Sequence, residues 1–233
     1  MSRTVGLPGV TALAAGLLLA SCEGLFASSD RPETALDFPQ PDRPVARVVS
    51  NQFADEDARD ERDEARIVMD LADIEPGMTV ADIGAGEGYY TVRLAERVGA
   101  EGRVLAQDID WEALERLENI SIKPGRADDP QLPSDSFDRI FLVHMYHEVT
   151  EPYAFLWRMW PALTAGGEIV VVETDRPAGS HGMPHALLFC EFETIGYMLI
   201  EYIERPDIKG YFARFGKGSA RVEPEAIEPC TAS

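Results

Sequence analysis

The chain has 233 residues, 45% hydrophobic and 27% charged, the composition of a folded globular protein with one α/β domain or two very small ones. Its 21 Lys and Arg face 41 Asp and Glu, a formal charge of −20. This excludes a basic surface for nucleic acid and electrostatic adhesion to anionic lipid, because both need clustered cations. Three cysteines do not make a disulfide framework, and a small-molecule substrate remains the expected partner.

Residues 1–21 carry a single charge, Arg3, followed by an apolar run from Val10 to Ala20. The run is shorter than the roughly 20 apolar residues a membrane-spanning helix needs. A charged start, a short apolar stretch and small residues after it predict a secretory signal. It ends Leu19-Ala20-Ser21-Cys22, which resembles the signal of bacterial lipoproteins. The resemblance implies cleavage before Cys22 and acylation of that residue. The protein would then meet the membrane through its lipid anchor only, in the bacterial cell envelope and facing the periplasm. An ordinary signal with an incidental Cys22, and an uncleaved signal on a cytoplasmic domain, are the alternatives. Cleavage removes Arg3 and no acid, leaving 20 basic against 41 acidic residues, or −21. Residues 22–50 contain Pro32, Pro39, Pro41 and Pro44 and keep no period, so they read as the lipidated cysteine and a flexible tether. The domain follows over residues 51–217, with a tail at 218–233. The sequence leaves open whether Cys190 and Cys230 pair; Cys190, in an apolar helical stretch, reads as a buried thiol.

Within the domain, residues 54–72 predict a helix whose acid-rich start, Asp55 to Glu64, is solvated. Pro76-Gly77 is a turn. Met78 to Ile83 is a buried strand, Tyr89 to Val98 a helix stopped by Gly99, and Arg103 to Ile109 a second strand. Trp111 to Leu117 is a short helix, Ile120 to Lys123 a third strand and Phe137 to Val143 a fourth. Pro152 to Leu163 is a helix, and Glu168 to Thr174 a fifth strand rich in valine. Alternating βα units predict a parallel sheet covered on both faces. After a helix over His185 to Ile195, Tyr197 to Ile203 and Tyr211 to Phe215 alternate apolar and polar residues across a short link, which predicts an antiparallel hairpin.

The most informative stretch is Asp82-Ile83-Gly84-Ala85-Gly86-Glu87-Gly88-Tyr89, which leaves a strand and opens a helix. Gly84 and Gly86 fit a dinucleotide-binding loop, but the third glycine of that fingerprint falls on Tyr89. An acid followed by G-x-G-x-G instead resembles the first motif of class I S-adenosylmethionine (SAM)-dependent methyltransferases. Asp108 at the end of the second strand, Leu132-Pro133, Ser136-Phe137-Asp138 and Leu163-Thr164-Ala165-Gly166-Gly167 are similar to later landmarks of that family, so the resemblance covers roughly residues 60–216. It implies a Rossmann-like, doubly wound, seven-stranded and mostly parallel sheet with a C-terminal antiparallel hairpin, and SAM as cofactor. It also implies that Asp82 lies near the methionyl amine, and that Gly84, Ala85, Gly86, Gly88 and Tyr89 line the cofactor. Asp108 would receive the ribose hydroxyls and Ile109 would pack on adenine. A bond bracing the loop is the alternative role for Asp82, and capping the next helix that for Asp108. The chain departs from the family at Gly125-Arg126-Ala127-Asp128-Asp129, where Arg126 replaces the aspartate that meets the adenine amine. Asp128 or Asp129 would have to take its place.

The fourth strand runs into His144-Met145-Tyr146-His147-Glu148, which the family resemblance places beside the transferable methyl group. His147 is the candidate base and His144 a candidate lining residue, with packing or capping as the alternative for each. His181 and His185 are four apart, but Gly182 and Pro184 between them argue against a helical metal pair, so no metal is expected. The resemblance implies methyl transfer to an unidentified small molecule. The alternative, motivated by Arg126, is a non-catalytic binding or assembly protein of the envelope on a degenerate methyltransferase scaffold.

Overall fold

The computed structural model describes residue 1 and residues 31–47, 56–109 and 120–231. The signal segment, Cys22 and the helix expected over Trp111 to Leu117 lie outside the described residues. Residues Arg31–Ser233 form one unit. Seven strands make one sheet: β1 (Thr79–Ile83), β2 (Arg103–Asp108), β3 (Ser121–Pro124), β4 (Phe137–Val143), β5 (Leu163–Glu173), β6 (Tyr197–Arg205) and β7 (Gly210–Lys217). Their order is β3-β2-β1-β4-β5-β7-β6. The first five run parallel, and β7 pairs antiparallel with both β5 and β6. The expected seven-stranded, mostly parallel sheet with a terminal hairpin is therefore what the chain forms.

Strand periodicity explains the two-sided core, because successive side chains leave opposite faces. Ala81, Ile83, Ile140, Leu142, Ile169 and Val171 face one side, where α4 (Pro152–Met159) and α5 (His185–Glu193) pack. Val80, Phe141, Val170 and Val172 face the other, where α2 (Glu64–Leu71) and α3 (Tyr89–Val98) pack. The strand order reverses between β1 and β4, and the carboxyl ends of strands at such a reversal are where open α/β sheets bind ligands.

Three expectations need correction. The helix predicted over 54–72 is broken into α1 (Glu56–Asp60) and α2 by Asp63, whose backbone is left-handed at φ 57°. Glu64, read as solvated, is only 2% exposed because it is enclosed by cationic and hydroxyl partners described below. Residues 31–47, read as tether, are docked on the domain. Ala35 and Phe38 enter the core with α4 and α5, Arg31 forms a bidentate pair with Glu151 at 2.7 and 2.8 Å, and Arg43 is bound to Glu191 at 2.8 Å. These anchors are isolated side chains reaching distant partners, so no local period announces them.

The tail is docked as well. Cys190 and Cys230 form a disulfide, Ile227 is buried, and Thr231 bridges to Asp42. Cys190 is thus not a buried thiol. On α5 the buried positions are Leu187, Leu188, Glu191 and Phe192, which leaves Cys190 on the outward side. No helix among the described residues is long and apolar enough to cross a membrane.

Candidate functional site

The crevice is built first by the turn after β1. Gly84, Gly86 and Gly88 take φ of +69°, +55° and +93°, a region that residues with a Cβ rarely enter. The amides of Gly84 and Ala85 donate to the Gln107 carbonyl at 2.8 and 3.1 Å, which ties the turn to β2. The Gly86 amide donates to Asp108 Oδ2 at 2.8 Å. A Cβ on Gly84 would lie 2.8 Å from Met145 Cγ, so the residue is glycine because the segment after β4 lies against it. A Cβ on Gly86 would meet no described atom within 4 Å. At Gly86 the loop therefore leaves the backbone open to close approach. Ile109, at the end of β2 beside Asp108, is 51% exposed, an apolar side chain available to a flat partner.

Asp82 lies beneath the loop and accepts from Thr91 Oγ1 at 2.6 Å. It thus carries the bracing bond weighed from the sequence. Burial pushes its carboxyl up to about 6, with Asp108 adding to the rise and the Thr91 bond and Arg59 opposing it. Tyr89 does not line the crevice as expected. Its hydroxyl donates to Asp60 at 2.9 Å, and the guanidinium carbons of Arg59 and Arg93 stand 3.9 and 3.8 Å from its ring centroid. Its ring is taken up in fastening α1 to α3.

Beside it, Glu64 Oε1 receives Arg59 at 2.7 and 3.0 Å and Tyr90 at 3.2 Å, with His144 Nε2 3.4 Å away. Burial pushes the Glu64 carboxyl up, but the bonds from His144 and Arg59 outweigh it and hold it at about 2. His144 is therefore tied into a charged cluster under α2, and its backbone amide donates to Val172 at 2.8 Å.

His147 is fully buried in a tight turn, Tyr146–Glu148. Its Nδ1 lies 2.9 and 3.0 Å from the two carboxylate oxygens of Glu173, and its backbone amide donates to the same carboxylate at 3.2 Å. A carboxylate only accepts, so Nδ1 is the donor, and Nε2 is the ring nitrogen on the side of Glu148, 3.9 Å from its Oε1. From the opposite side, Arg43 and the amide of Ala46 donate to the His147 carbonyl at 3.5 and 3.3 Å.

Asp128, the candidate substitute for the missing adenine-side aspartate, is committed elsewhere. It is 1% exposed, and its Oδ2 accepts from Thr34 and Arg158, each at 2.6 Å. Arg158 also donates to the Thr34 carbonyl. The reason is the docked N-terminal segment, which brings Thr34 to this carboxylate. Arg126 itself is exposed.

Two tryptophans in and after α4, and the two histidines His181 and His185, have separate partners. Trp157 packs on Phe38 and donates to the Val222 carbonyl at 3.0 Å, and Trp160 packs on Tyr197; both are structural. His185 pairs with Asp175 at 2.9 Å, whereas His181 places its ring 5.6 Å from that of His147. Sequence reasoning missed Glu173 and Glu191. Glu173 had a legible signal, since it is an acid closing the all-apolar run Ile169-Val170-Val171-Val172 at the carboxyl end of β5.

Comparison with known proteins agrees with this geometry. Residues 81–171 match the family model of a methyltransferase domain. Over 118 residues the chain is 35% identical to the ubiquinone/menaquinone biosynthesis C-methyltransferase UbiE of Methylococcus capsulatus, covering 46% of this chain and 48% of that protein. The chain thus spans about half the length of the curated relatives it matches. A SAM-dependent methyltransferase from Aquifex aeolicus superposes with a TM-score of 0.60 at 23% identity, covering 68% of this chain and 91% of that one. The [4+2]-cyclase SpnF superposes at 0.56 with 14% identity, covering 78% of this chain and all of that one, 100%. The fold is that of class I SAM-dependent methyltransferases, whose cofactor is S-adenosyl-L-methionine.

Proposed function

We propose that this chain is a SAM-dependent methyltransferase acting on a small-molecule acceptor from the cell envelope, anchored there through an acylated Cys22. The observation that supports methyl transfer most directly is the convergence at one crevice of the open glycine turn, Asp108 and the His144–Glu148 segment, with Met145 seated against Gly84. The residues fit the cofactor. Gly86 leaves room for its backbone-side approach, Ile109 offers an apolar face for adenine, and Asp108 places a carboxylate at the end of β2, where ribose hydroxyls would be received. When bound, SAM supplies a methyl group activated by a sulfonium. Asp82, ionised above pH ~6, sets negative charge beneath the loop near the cationic amino-acid end. On the acceptor side, Glu173 orients His147 so that Nε2 is the basic atom, the arrangement of a positioned base. Since the cyclase has the same fold, fold alone does not establish transfer.

Calorimetric titration of the purified full chain with SAM tests the reading. Saturable 1:1 binding is expected, weakening as the pH falls through about 6 and Asp82 takes up a proton. Asp108→Ala should weaken binding by about 10- to 150-fold, equivalent to ~1.5–3 kcal/mol for hydrogen bonds to a charged acceptor. An affinity unchanged in Asp108→Ala would refute the assigned site. Binding without transfer to any component of an envelope extract would favour the non-catalytic alternative. The Cys190–Cys230 disulfide supports envelope residence, because such bonds persist in oxidising compartments. Cys22→Ser should move the protein from the membrane fraction to the soluble fraction. Retention in membranes would rule out the lipid anchor.

A further inference from the structure

We infer that His147, Glu148 and His181 form a binding site for one divalent transition-metal ion of the zinc type. Each of the three offers a ligand atom, and these atoms lie within 4.8 Å of one another. His147 Nε2 stands 3.9 Å from Glu148 Oε1. A tetrahedral ion with bonds of ~2.1 Å holds its ligands roughly 3.4 Å apart, so small side-chain rotations close the set. Two imidazoles and one carboxylate are the three-ligand set of open zinc sites, with a further position left for water or substrate. The mixed nitrogen and oxygen donors, with no thiolate, suit zinc, cobalt or iron(II) rather than calcium or magnesium.

A second, independent feature is the support around His147. Glu173, itself buried, holds Nδ1 through both carboxylate oxygens and so fixes the ring with Nε2 on the side of Glu148 and His181. A carboxylate on the far nitrogen of a metal-binding histidine fixes its tautomer and raises its basicity. The backbone of His147 is pinned by Arg43 and Ala46. The loop carrying His181 is fastened by the Met183 amide on the Thr174 carbonyl at 2.9 Å and by the Tyr211 hydroxyl on the Met183 carbonyl at 2.8 Å. Access is provided for, since Glu148 has 19% of its side chain exposed and His181 is half-buried.

The histidine spacing that argued against a metal concerned His181 with His185. The structure pairs His181 with His147 across the fold instead, and sends His185 to Asp175. The site lies two residues beyond Met145, which rests on the glycine turn. On the methyltransferase reading, on which this consequence alone rests, the open position would hold an oxygen of the acceptor, and His147 would act on it through the cation in the metal-loaded protein and as the positioned base in the metal-free one.

The test uses the full chain, stripped of metal and titrated with Co²⁺, followed by Zn²⁺. Ligand-field absorption bands that saturate at one equivalent and are displaced by one equivalent of Zn²⁺ are expected. His181→Ala, in a surface loop, and Glu148→Gln, at a partly exposed position, should each weaken Co²⁺ binding by at least roughly 10-fold. Absence of the bands, or wild-type affinity in either variant, overturns the site. Because the readout is spectroscopic and needs no SAM, its failure is separate from failure of the SAM titration.

Discussion

Replacing Arg43 by methionine should lower the free energy of unfolding by about 3–5 kcal/mol, the cost of breaking a buried ion pair by removing one partner. Arg43 and Glu191 have side chains 0% and 1% exposed, with Nε and Oε1 2.8 Å apart. The same guanidinium donates to the carbonyls of Val149 and Tyr146 at 3.1 and 3.4 Å, so its loss also strands backbone acceptors. Among the described residues, Glu191 would keep only the Tyr146 hydroxyl, at 2.7 Å. Burial already pushes the Glu191 carboxyl above its ordinary range, against the pull of Arg43 and Tyr146. Without Arg43 the carboxyl rises further and takes a proton in the folded chain. A group raised in the folded state contributes stability below its unfolded pKa and loses that contribution as pH rises through the folded one. The deficit of Arg43→Met should therefore shrink as the pH is lowered from neutrality toward 5. Urea unfolding of the wild type and variant at several pH values measures both effects, and Glu191→Gln in the Arg43→Met background should restore part of the loss at pH 7. A deficit under 1 kcal/mol at pH 7, or one that grows on acidification, would show that this pair does not hold residues 31–47 to the domain.

The legibility of the chain divides along the same line. The sheet could be read because its signals are local: valine-rich runs, helical spacing after them, and glycines at the one turn that must go left-handed. Asp82, Gly84, Gly86 and Asp108 were legible as a group because each sits at the carboxyl end of a strand or in the turn leaving it, and the strand order brings those ends together. Tyr89 was misread because position alone does not say which way the first residue of a helix points. The two arginines and Asp60 that claim it come from α1 and from one turn further along α3. Asp128 was misread because its partners, Thr34 and Arg158, are 94 and 30 residues away. Residues 31–47 were invisible for the same reason, since Arg31 reaches 120 residues to Glu151 and Arg43 reaches 148 to Glu191. Contacts of that span leave no period in the sequence.

Reduction of the Cys190–Cys230 disulfide should cost about 4 kcal/mol of unfolding free energy, the chain-entropy value for a closed loop of 40 residues. The bond closes a loop that contains β6 and β7 and fixes the tail against α5. Other contacts hold the tail as well. The Cys230 amide donates to the Tyr153 hydroxyl at 2.7 Å, the Val222 amide to the Ile195 carbonyl at 2.9 Å, and Arg221 lies 3.4 Å from the Trp157 ring centroid. These contacts keep the reduced chain folded at lower stability, so the loss should appear as a shifted urea midpoint and as faster amide exchange over residues 218–231. The Cys190→Ser, Cys230→Ser double variant should start at the lower stability and show no response to reductant. Two free thiols titrating in the oxidised, unreduced protein would refute the pairing. The same number bears on compartment. A chain made without residues 1–21 and kept in a reducing cytoplasm would lack the bond and fold with about 4 kcal/mol less stability. Of the three cysteines, two are then consumed in the disulfide, and acylation of Cys22 would remove the third as a competing thiol. An acidic domain whose two terminal segments are clasped by Arg43 and Cys230 thus gains its full stability only where that bond can form.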